Sequence, residues 1–208
     1  MKDLRKAFVA RLPLKPEPLG QCFRCGVAIG FILALAFIFL TAAGTRTQNP
    51  VAVIGSLFDA GVPMDPRIAR LDPAVRRSML CVALNVMMEA RGEPEAGQVA
   101  VAWVTRTRSK QRDLSPCDTV FERMGGAQFS WTVNSPRYIA EVVRRDPGSF
   151  LDAQDVAWSV LVQDVRDPSG GANHFYGHRA MKPPAWTRRA VPGSKVVIGR
   201  HTFLRLPA

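Results

Sequence analysis

Internal repeats and low-complexity segments are absent from the sequence, and so are helical zinc-ligand pairs of the H-E-x-x-H type. The first absence argues against a repeat architecture, and the second removes the common metalloprotease signature. Acidic residues are also scarce, since 17 Asp and Glu stand against 28 Lys and Arg. What remains is a chain of 208 residues with 47% hydrophobic content, which is enough for one compact domain with appendages.

A long uncharged run occupies residues 25–45. A membrane-spanning helix needs about 20 such residues, whereas the apolar core of a signal peptide has about 7–15. Basic residues are frequent before the run, and only Arg46 follows it closely. The positive-inside rule therefore predicts a single-pass protein of the inner (cytoplasmic) membrane, with a cytoplasmic basic tail (1–24) and a periplasmic or extracytoplasmic C-terminal part. Cleavage near the small residues 41–44 is the alternative to a retained anchor.

The charge of the remaining chain bears on its partner. Residues 46–208 hold 22 basic and 15 acidic side chains, a balance that favours a polyanionic ligand. Nucleic acid is one such ligand, but the predicted export argues against it, and an anionic polymer of the cell envelope fits better. A basic surface without a special partner is the open alternative.

The four cysteines form two pairs in the sequence. Cys22 and Cys25 make a C-x-x-C at the cytoplasmic edge of the apolar run, where a zinc site would need two further ligands. Cys81 and Cys117 lie in the exported part, where a disulfide can persist. A disulfide between them and two buried free thiols both fit the sequence.

Turn and cap residues divide the exported part into a linker (46–71), with at most one short helix at 53–58, and one domain (72–208). The domain opens with Asp72-Pro73, an N-cap followed by proline at the first helical position. Helices are predicted at 73–91, 95–110, 119–123 and 151–165, with a short one after Ser135, and strands at 172–176 and 195–204. The predicted fold class is α+β, mainly helical with a small antiparallel sheet, preceded by one membrane helix.

Glu89 is the one acidic residue of the apolar first helix of this domain. Desolvation among Val86, Met87 and their neighbours favours the protonated form of its carboxyl. A protonated carboxyl beside a groove at neutral pH is what acid-catalysed glycosidic cleavage requires. The alternative is a surface carboxylate paired with Arg91 or Arg108.

Glu93 is not an equivalent partner of Glu89, because Gly92 and Pro94 take it off the helix. We expect Glu93 to bond backbone amides at the start of the next helix, in the manner of a cap. A two-carboxylate glycosidase needs its second acid about 5–9.5 Å away, and no sequence pattern identifies one.

A second cluster of candidates lies at residues 173–178. Asn173, His174 and Tyr176 are candidates for hydrogen bonding to a substrate. His174 and His178, with His201 and a glutamate, could instead make a zinc hydrolase site. Aromatic side chains that could stack on sugar rings, or equally serve local packing, are Trp131, Tyr138, Tyr176 and Trp186.

Five segments in series resemble the SleB-type cell wall hydrolase family, which includes spore-cortex-lytic enzymes and bacterial and phage lysis proteins. The matching stretches are Glu89–Pro94 with Gly97–Ala102, Gln128–Trp131, Asp167–Ala172 with Phe175-Tyr176, Trp186, and Ile198–Phe203. They cover about residues 78–205 in order. The family often has a tyrosine–glycine pair before its glutamate, where this chain has Met87 and Met88.

The resemblance implies a lysozyme-like fold related to lytic transglycosylases, without a cofactor, acting on the glycan strands of peptidoglycan. It assigns the catalytic acid to Glu89 and places Gln128, Ser130 and Tyr176 along the groove. The expected reaction is cleavage between N-acetylmuramic acid and N-acetylglucosamine. A zinc amidase or endopeptidase and a non-catalytic murein-binding membrane protein are the competing functions, and an anchored phage lysis role is compatible with the enzyme.

Overall fold

The structure is a computed structural model that describes residues 47–124 and 126–207. The predicted basic tail (1–24), membrane helix (25–45) and Cys22–Cys25 pair lie outside these residues. Within the described part of the chain, no helix is both long and apolar enough to cross a membrane.

The segment 46–71, which we expected to be a mostly extended linker, contains two helices. Asn49 caps α1 (Pro50–Asp59) and Asp65 caps α2 (Pro66–Ala69), each with proline in the first helical turn. Val53 and Ile68 are fully buried against the main core. The short helix expected at 53–58 is therefore longer, and its apolar residues pack on the core instead of standing apart from it.

The long central helix α3 (Pro73–Ala90) begins as predicted, because the Asp72 carboxylate accepts a hydrogen bond from the Ala74 amide. Ten of its residues are buried, so α3 lies at the centre of the core. It ends where Gly92 takes a φ of 77°, a left-handed value that favours glycine. The antiparallel partner α4 (Glu95–Arg112) follows Pro94 and ends at Asp113 in a left-handed conformation.

Four shorter elements complete the helical part. They are α5 (Pro116–Val120), a 3₁₀ turn (Ser130–Val133), α6 (Pro136–Arg145) and α7 (Pro147–Leu161). The predicted boundaries are wrong for α5 and α7, because serine and aspartate caps at Ser115 and Asp146 start both helices earlier. The main core lies between α3, α4 and α7.

A three-stranded antiparallel sheet lies toward the C-terminus, with β1 (His174–Gly177), β2 (Val196–Ile198) and β3 (His201–Leu204) in the order β1-β3-β2. The single strand predicted at 195–204 is wrong, because the chain reverses at Gly199 (φ 58°) and makes a hairpin with Ile198 opposite His201. A second 3₁₀ turn (Ala185–Arg189) connects β1 to β2. A mainly helical α+β fold with a small antiparallel sheet is confirmed.

Two links hold the helices around the site in place. Cys81 of α3 and Cys117 of α5 form a disulfide with their Cα atoms 5.0 Å apart, which decides between the two states that the sequence left open. Buried Asn85 of α3 donates to Thr105 of α4 and accepts a 3.2 Å hydrogen bond from the Trp131 indole. Trp131 is therefore a core anchor for the segment 128–131 and is not available for sugar stacking.

Candidate active site

Glu89 lies in the last turn of α3, where the helix leaves the core. Its side chain lines a groove of about 600 Å³ between the helical part and the sheet. It also borders a second cavity of about 350 Å³, lined by Met87, Met88 and Tyr138 among others. Glu89 is thus the residue at which the two cavities meet.

The Glu89 carboxyl has an unusual electrostatic environment. Burial raises its pKa to about 7. No hydrogen bond or ion pair to this carboxyl occurs within residues 47–124 and 126–207. The two arginines proposed as partners contact other residues instead. Arg91 forms an ion pair with Asp146, and Arg108 donates a hydrogen bond to Gln128. The alternative of a paired surface carboxylate is therefore wrong, and at neutral pH a large fraction of Glu89 carries a proton.

The groove brings together most of the predicted site residues. Gln128, Ser130, His174 and Tyr176 line it together with Glu89. Trp186 also lines it and packs edge-on against Tyr176, with ring centroids 6.1 Å apart. Among the described residues that form the groove, Glu89 is the only carboxyl.

Glu93 has the opposite environment, although it is only four residues from Glu89. Its buried carboxylate accepts a 2.7 Å hydrogen bond from the Arg200 amide and pairs with the Arg200 guanidinium. Burial by itself would raise the pKa of Glu93, but the contacts from Arg200 outweigh it and hold that pKa below its usual value. The expectation of a cap on the next helix is wrong, because Glu93 instead ties the α3–α4 turn to the β2–β3 turn.

Gly199 explains why this attachment needs a glycine. A Cβ atom at position 199 would lie 2.1 Å from Glu93 Oε2 and 2.9 Å from Pro94 Cδ. The positive φ of Gly199 disfavours any other residue in addition. The Gly199-Arg200 pair of the sequence motif therefore serves to receive Glu93.

Asn173 is the predicted site residue that the structure does not place in the groove. Its amide donates to Gln111 Oε1 and the Leu206 carbonyl, and its carbonyl oxygen accepts from the Leu206 amide and from His174 Nδ1. These four bonds use the full capacity of an asparagine side chain. Asn173 therefore orients His174 and the C-terminal segment and has no group left for a substrate.

His174 is held as a neutral imidazole with a defined tautomer. Burial, followed by the charges of Arg108, Arg112 and Arg189, lowers the pKa of His174 to about 4. Because Asn173 offers an oxygen to Nδ1, the proton lies on Nδ1 and Nε2 is an acceptor. His174 can thus accept a hydrogen bond from a substrate in the groove.

The arginines of the groove are functional candidates that the sequence interpretation missed. Arg108 was considered only as an ion-pair partner of Glu89, and Arg112 and Arg189 were not considered. The i, i+4 spacing of Arg108 and Arg112 on one helix face was the available signal. Both residues line the groove together with Arg189.

The histidines do not assemble into the zinc set that the sequence left open as an alternative. His174 contacts Asn173, His178 lies near Thr202, and His201 Nδ1 is 3.8 Å from Glu93. Within the two described ranges, no group of three or more His, Cys, Asp or Glu side chains could hold a metal ion.

The site therefore consists of one acid with a raised pKa in a groove of polar and aromatic side chains, an arrangement suited to cleaving a polymer of sugars. The family model described as Cell Wall Hydrolase matches residues 92–204, which is more than half of the chain, and the chain belongs to that family. This confirms the resemblance seen in the sequence, and it makes the protein an enzyme that degrades peptidoglycan. The match begins three residues after Glu89, so the role of that residue is a separate question.

Two solved structures are similar to the chain. The catalytic domain of the Bacillus cereus SleB protein is 26% identical over 62% of this chain and 89% of that chain, with a TM-score of 0.39. The catalytic domain of the germination-specific lytic transglycosylase SleB from Bacillus anthracis is 21% identical over 65% of this chain and 98% of that chain, also with a TM-score of 0.39. No curated protein matches the chain.

Proposed function

We propose that the protein is a lytic transglycosylase that cleaves between N-acetylmuramic acid and N-acetylglucosamine, with Glu89 as its general acid and base. The observation that carries the proposal is the environment of Glu89. It is the one carboxyl among the described groove residues, and burial without a charged partner raises its pKa to about 7. A mechanism with a single acid is the kind that such a groove supports.

The protonated Glu89 carboxyl donates its proton to the glycosidic oxygen, and the bond from that oxygen to C1 of the muramyl residue breaks. The resulting carboxylate then takes the proton from the muramyl 6-hydroxyl, whose oxygen forms the new bond to C1. The products are a 1,6-anhydromuramyl end and a free 4-hydroxyl on N-acetylglucosamine. Glu89 ends protonated, ready for another cycle, and no second carboxylate takes part.

The other groove residues bind and orient the strand in this proposal. Neutral His174 accepts a hydrogen bond through Nε2, while Gln128, Ser130 and Tyr176 supply further polar groups along the groove. Glu89 borders a second cavity besides the groove, and this cavity offers further space for a glycan strand next to the scissile bond. The helical core that ends at Glu89, with a sheet across the groove, supports the lysozyme-like relation implied by the resemblance.

The decisive experiment is a peptidoglycan zymogram with the full-length protein and its Glu89→Gln variant. We expect Glu89→Gln to lose activity by a factor of about 10²–10⁴, because that is the usual contribution of a positioned acid. Glu95→Gln is the matched control, since Glu95 is an exposed acid at the start of α4 that does not line the groove. Normal lysis by Glu89→Gln would overturn the assignment.

Two further measurements separate the competing functions. Mass spectrometry of the released fragments should find anhydromuramyl ends, whereas reducing ends would indicate hydrolysis. Loss of activity with a chelator, together with intact glycan strands, would indicate a zinc amidase or endopeptidase. Binding to sacculi without fragment release would indicate a non-catalytic murein-binding protein.

We also propose that residues 25–45 anchor the enzyme in the cytoplasmic membrane, with the catalytic domain on the outer side. The proposal rests on the uncharged length of this segment and on the basic residues before it. Protease added to spheroplasts should digest the domain and spare a tag on the N-terminal tail. Recovery in the medium of a chain shortened near residues 41–44 would indicate cleavage, and recovery of the whole chain there would indicate release.

A further inference from the structure

A side cavity of about 470 Å³ adjoins the groove. The two spaces share Arg108, Arg112, His174 and Arg189 in their walls. Glu89 lines the groove but not this side cavity. Among the described residues that line the side cavity, three are arginines and none is acidic.

The guanidinium groups of this cavity are incompletely neutralised. Arg112 pairs with Glu122, which is the nearby acid. Within the described ranges no ion pair to Arg189 is found. All three arginines and His174 line this one cavity, and the arginine charges contribute to the lowered pKa of His174.

Arg108 lines both the groove and the side cavity, although it is only 5% exposed. Its guanidinium bonds to Gln128 and lies over Phe129, so these two residues hold a positive charge in the wall that the two spaces share. A guanidinium presents several N–H donors in a fixed fork that matches the two oxygens of a carboxylate.

Gln111 adds a donor at the same place. Its Oε1 accepts the hydrogen bond from Asn173, and this leaves the amide nitrogen of this exposed side chain available. The walls thus offer donors and positive charge, with His174 neutral between them. An anion with two or more oxygen atoms fits this chemistry.

We propose that the side cavity binds a carboxylate of the peptide stem that peptidoglycan carries on its muramyl residues, and so selects strands that still bear peptides. The inference rests on the proposed function, because it places the glycan strand along Glu89 in the adjoining groove. The peptide leaves the strand at the muramyl lactyl group and extends into the cavity. Arg189, the exposed arginine of the wall, is the first cation that the peptide meets.

A carboxylate could also come from the free lactyl group of glycan strands that have lost their peptides. The test therefore compares two substrates, intact peptidoglycan and strands denuded by an amidase, with the full-length protein. Arg189→Gln removes the exposed arginine of the cavity. Arg188→Gln is the matched control, because Arg188 is an exposed neighbour on the same 3₁₀ turn that lines neither space and carries the same charge.

We expect Arg189→Gln to lower kcat/KM on intact peptidoglycan about tenfold, the usual effect of losing one charge-assisted contact, and to lower it markedly less on denuded strands. Arg188→Gln should change neither value. An equal loss on both substrates would assign the cavity to the lactyl carboxylate, and no loss on either would remove the anion site. Either result overturns the proposal.

A binding measurement separates this inference from the catalytic assignment. Soluble muropeptides with and without their peptide can be titrated against the protein and against Arg189→Gln without any cleavage. The peptide-bearing fragment should bind the unmodified protein about tenfold more tightly, and Arg189→Gln should abolish that preference. If the unmodified protein shows the preference and Arg189→Gln lacks it, while Glu89→Gln retains lytic activity, the proposed mechanism fails and the peptide site stands. Equal binding of both fragments by the unmodified protein would contradict the peptide site and would leave the catalytic assignment of Glu89 unaffected.

Discussion

The end of α3 and the turn that follows it hold two glutamates under opposite conditions. Both carboxyls are withdrawn from water, so burial acts on each in the same direction. Glu89 receives no compensating contact from the described residues, and its pKa rises to about 7. Glu93 receives the Arg200 amide and guanidinium, and its pKa falls. The partner, and not the burial, decides which glutamate is an acid at neutral pH and which is a structural anion.

The largest difference between the two positions is expected in activity. Glu89→Gln should reduce the lytic rate by about 10²–10⁴, whereas Glu93→Gln should retain activity within about tenfold per folded molecule. The measurement is release of soluble fragments from peptidoglycan, normalised to the folded fraction from circular dichroism. A Glu93→Gln variant that folds fully yet loses activity as severely as Glu89→Gln would remove the distinction.

The pH dependence of activity reports the same acid. In the proposed mechanism Glu89 donates a proton, so kcat/KM should be highest below neutrality and fall as pH rises through about 7. The small residual activity of Glu89→Gln should not show this decrease with rising pH. A descending limb centred near pH 4.5 would show that burial does not perturb this carboxyl in solution.

The two glutamates should also affect stability with opposite signs. The folded pKa of Glu89 is raised, so its contribution is fully present below about pH 4.5 and is lost as pH rises toward 7. Glu89→Gln should therefore stabilise the protein by about 2–3 kcal/mol at pH 8 and have little effect at pH 4.

The folded pKa of Glu93 is lowered, so its contribution is present above the unfolded pKa and is lost as pH falls through the folded value. Glu93→Gln should destabilise the protein by about 2 kcal/mol at pH 8, and the difference from the unmodified protein should shrink in acid. Urea unfolding of both variants at the two pH values measures these differences. If both substitutions changed the free energy of unfolding in the same direction at pH 8, the stated difference between Glu89 and Glu93 would be wrong.

The contact between Glu93 and the β2–β3 turn can also be disrupted by a substitution in that turn. Gly199→Ala places a methyl group against Glu93 Oε2 at a positive φ and should destabilise the protein by about 2 kcal/mol. Gly148→Ala is the control, since a Cβ there meets nothing within 4 Å and the residue lies in the first turn of α7. Thermal unfolding should shift for Gly199→Ala only, and similar shifts for both would mean that the Glu93 contact contributes little.

The smallest effect is expected for the ion pair between Arg91 and Asp146. Both side chains are substantially exposed, so Arg91→Ala should change the free energy of unfolding by about 0.5 kcal/mol or less. It should leave the pH dependence of activity unchanged. A shift in the activity limb of this variant would show that Arg91 reaches Glu89 in solution.

Local signals predicted much of the helical fold and the desolvation of the Glu89 carboxyl. Asp72-Pro73 and Gly92 delimit α3 because caps and glycines act on their own turn. The interpretation failed where distant chain segments meet. Glu93 and Arg200 are 107 residues apart, and no sequence pattern around Glu93 indicates that Arg200 is its partner.

Contacts between distant segments also explain the remaining differences between the predicted and the observed structure. The reversal at Gly199 lies inside a strand-like run, and only the approach of Glu93 explains why a glycine is needed there. The helix α1 (Pro50–Asp59) gains its burial from a core formed later in the chain. Arg108, Arg112 and Arg189 converge from a helix and a turn that are far apart in sequence.

The disulfide between Cys81 and Cys117 makes the oxidation state of the chain depend on the compartment in which it folded. Under denaturing conditions an alkylating reagent adds two groups fewer to a copy that matured in an oxidising compartment than to one that matured in a reducing compartment. The mass added by the reagent therefore measures which fraction of the population matured in an oxidising compartment.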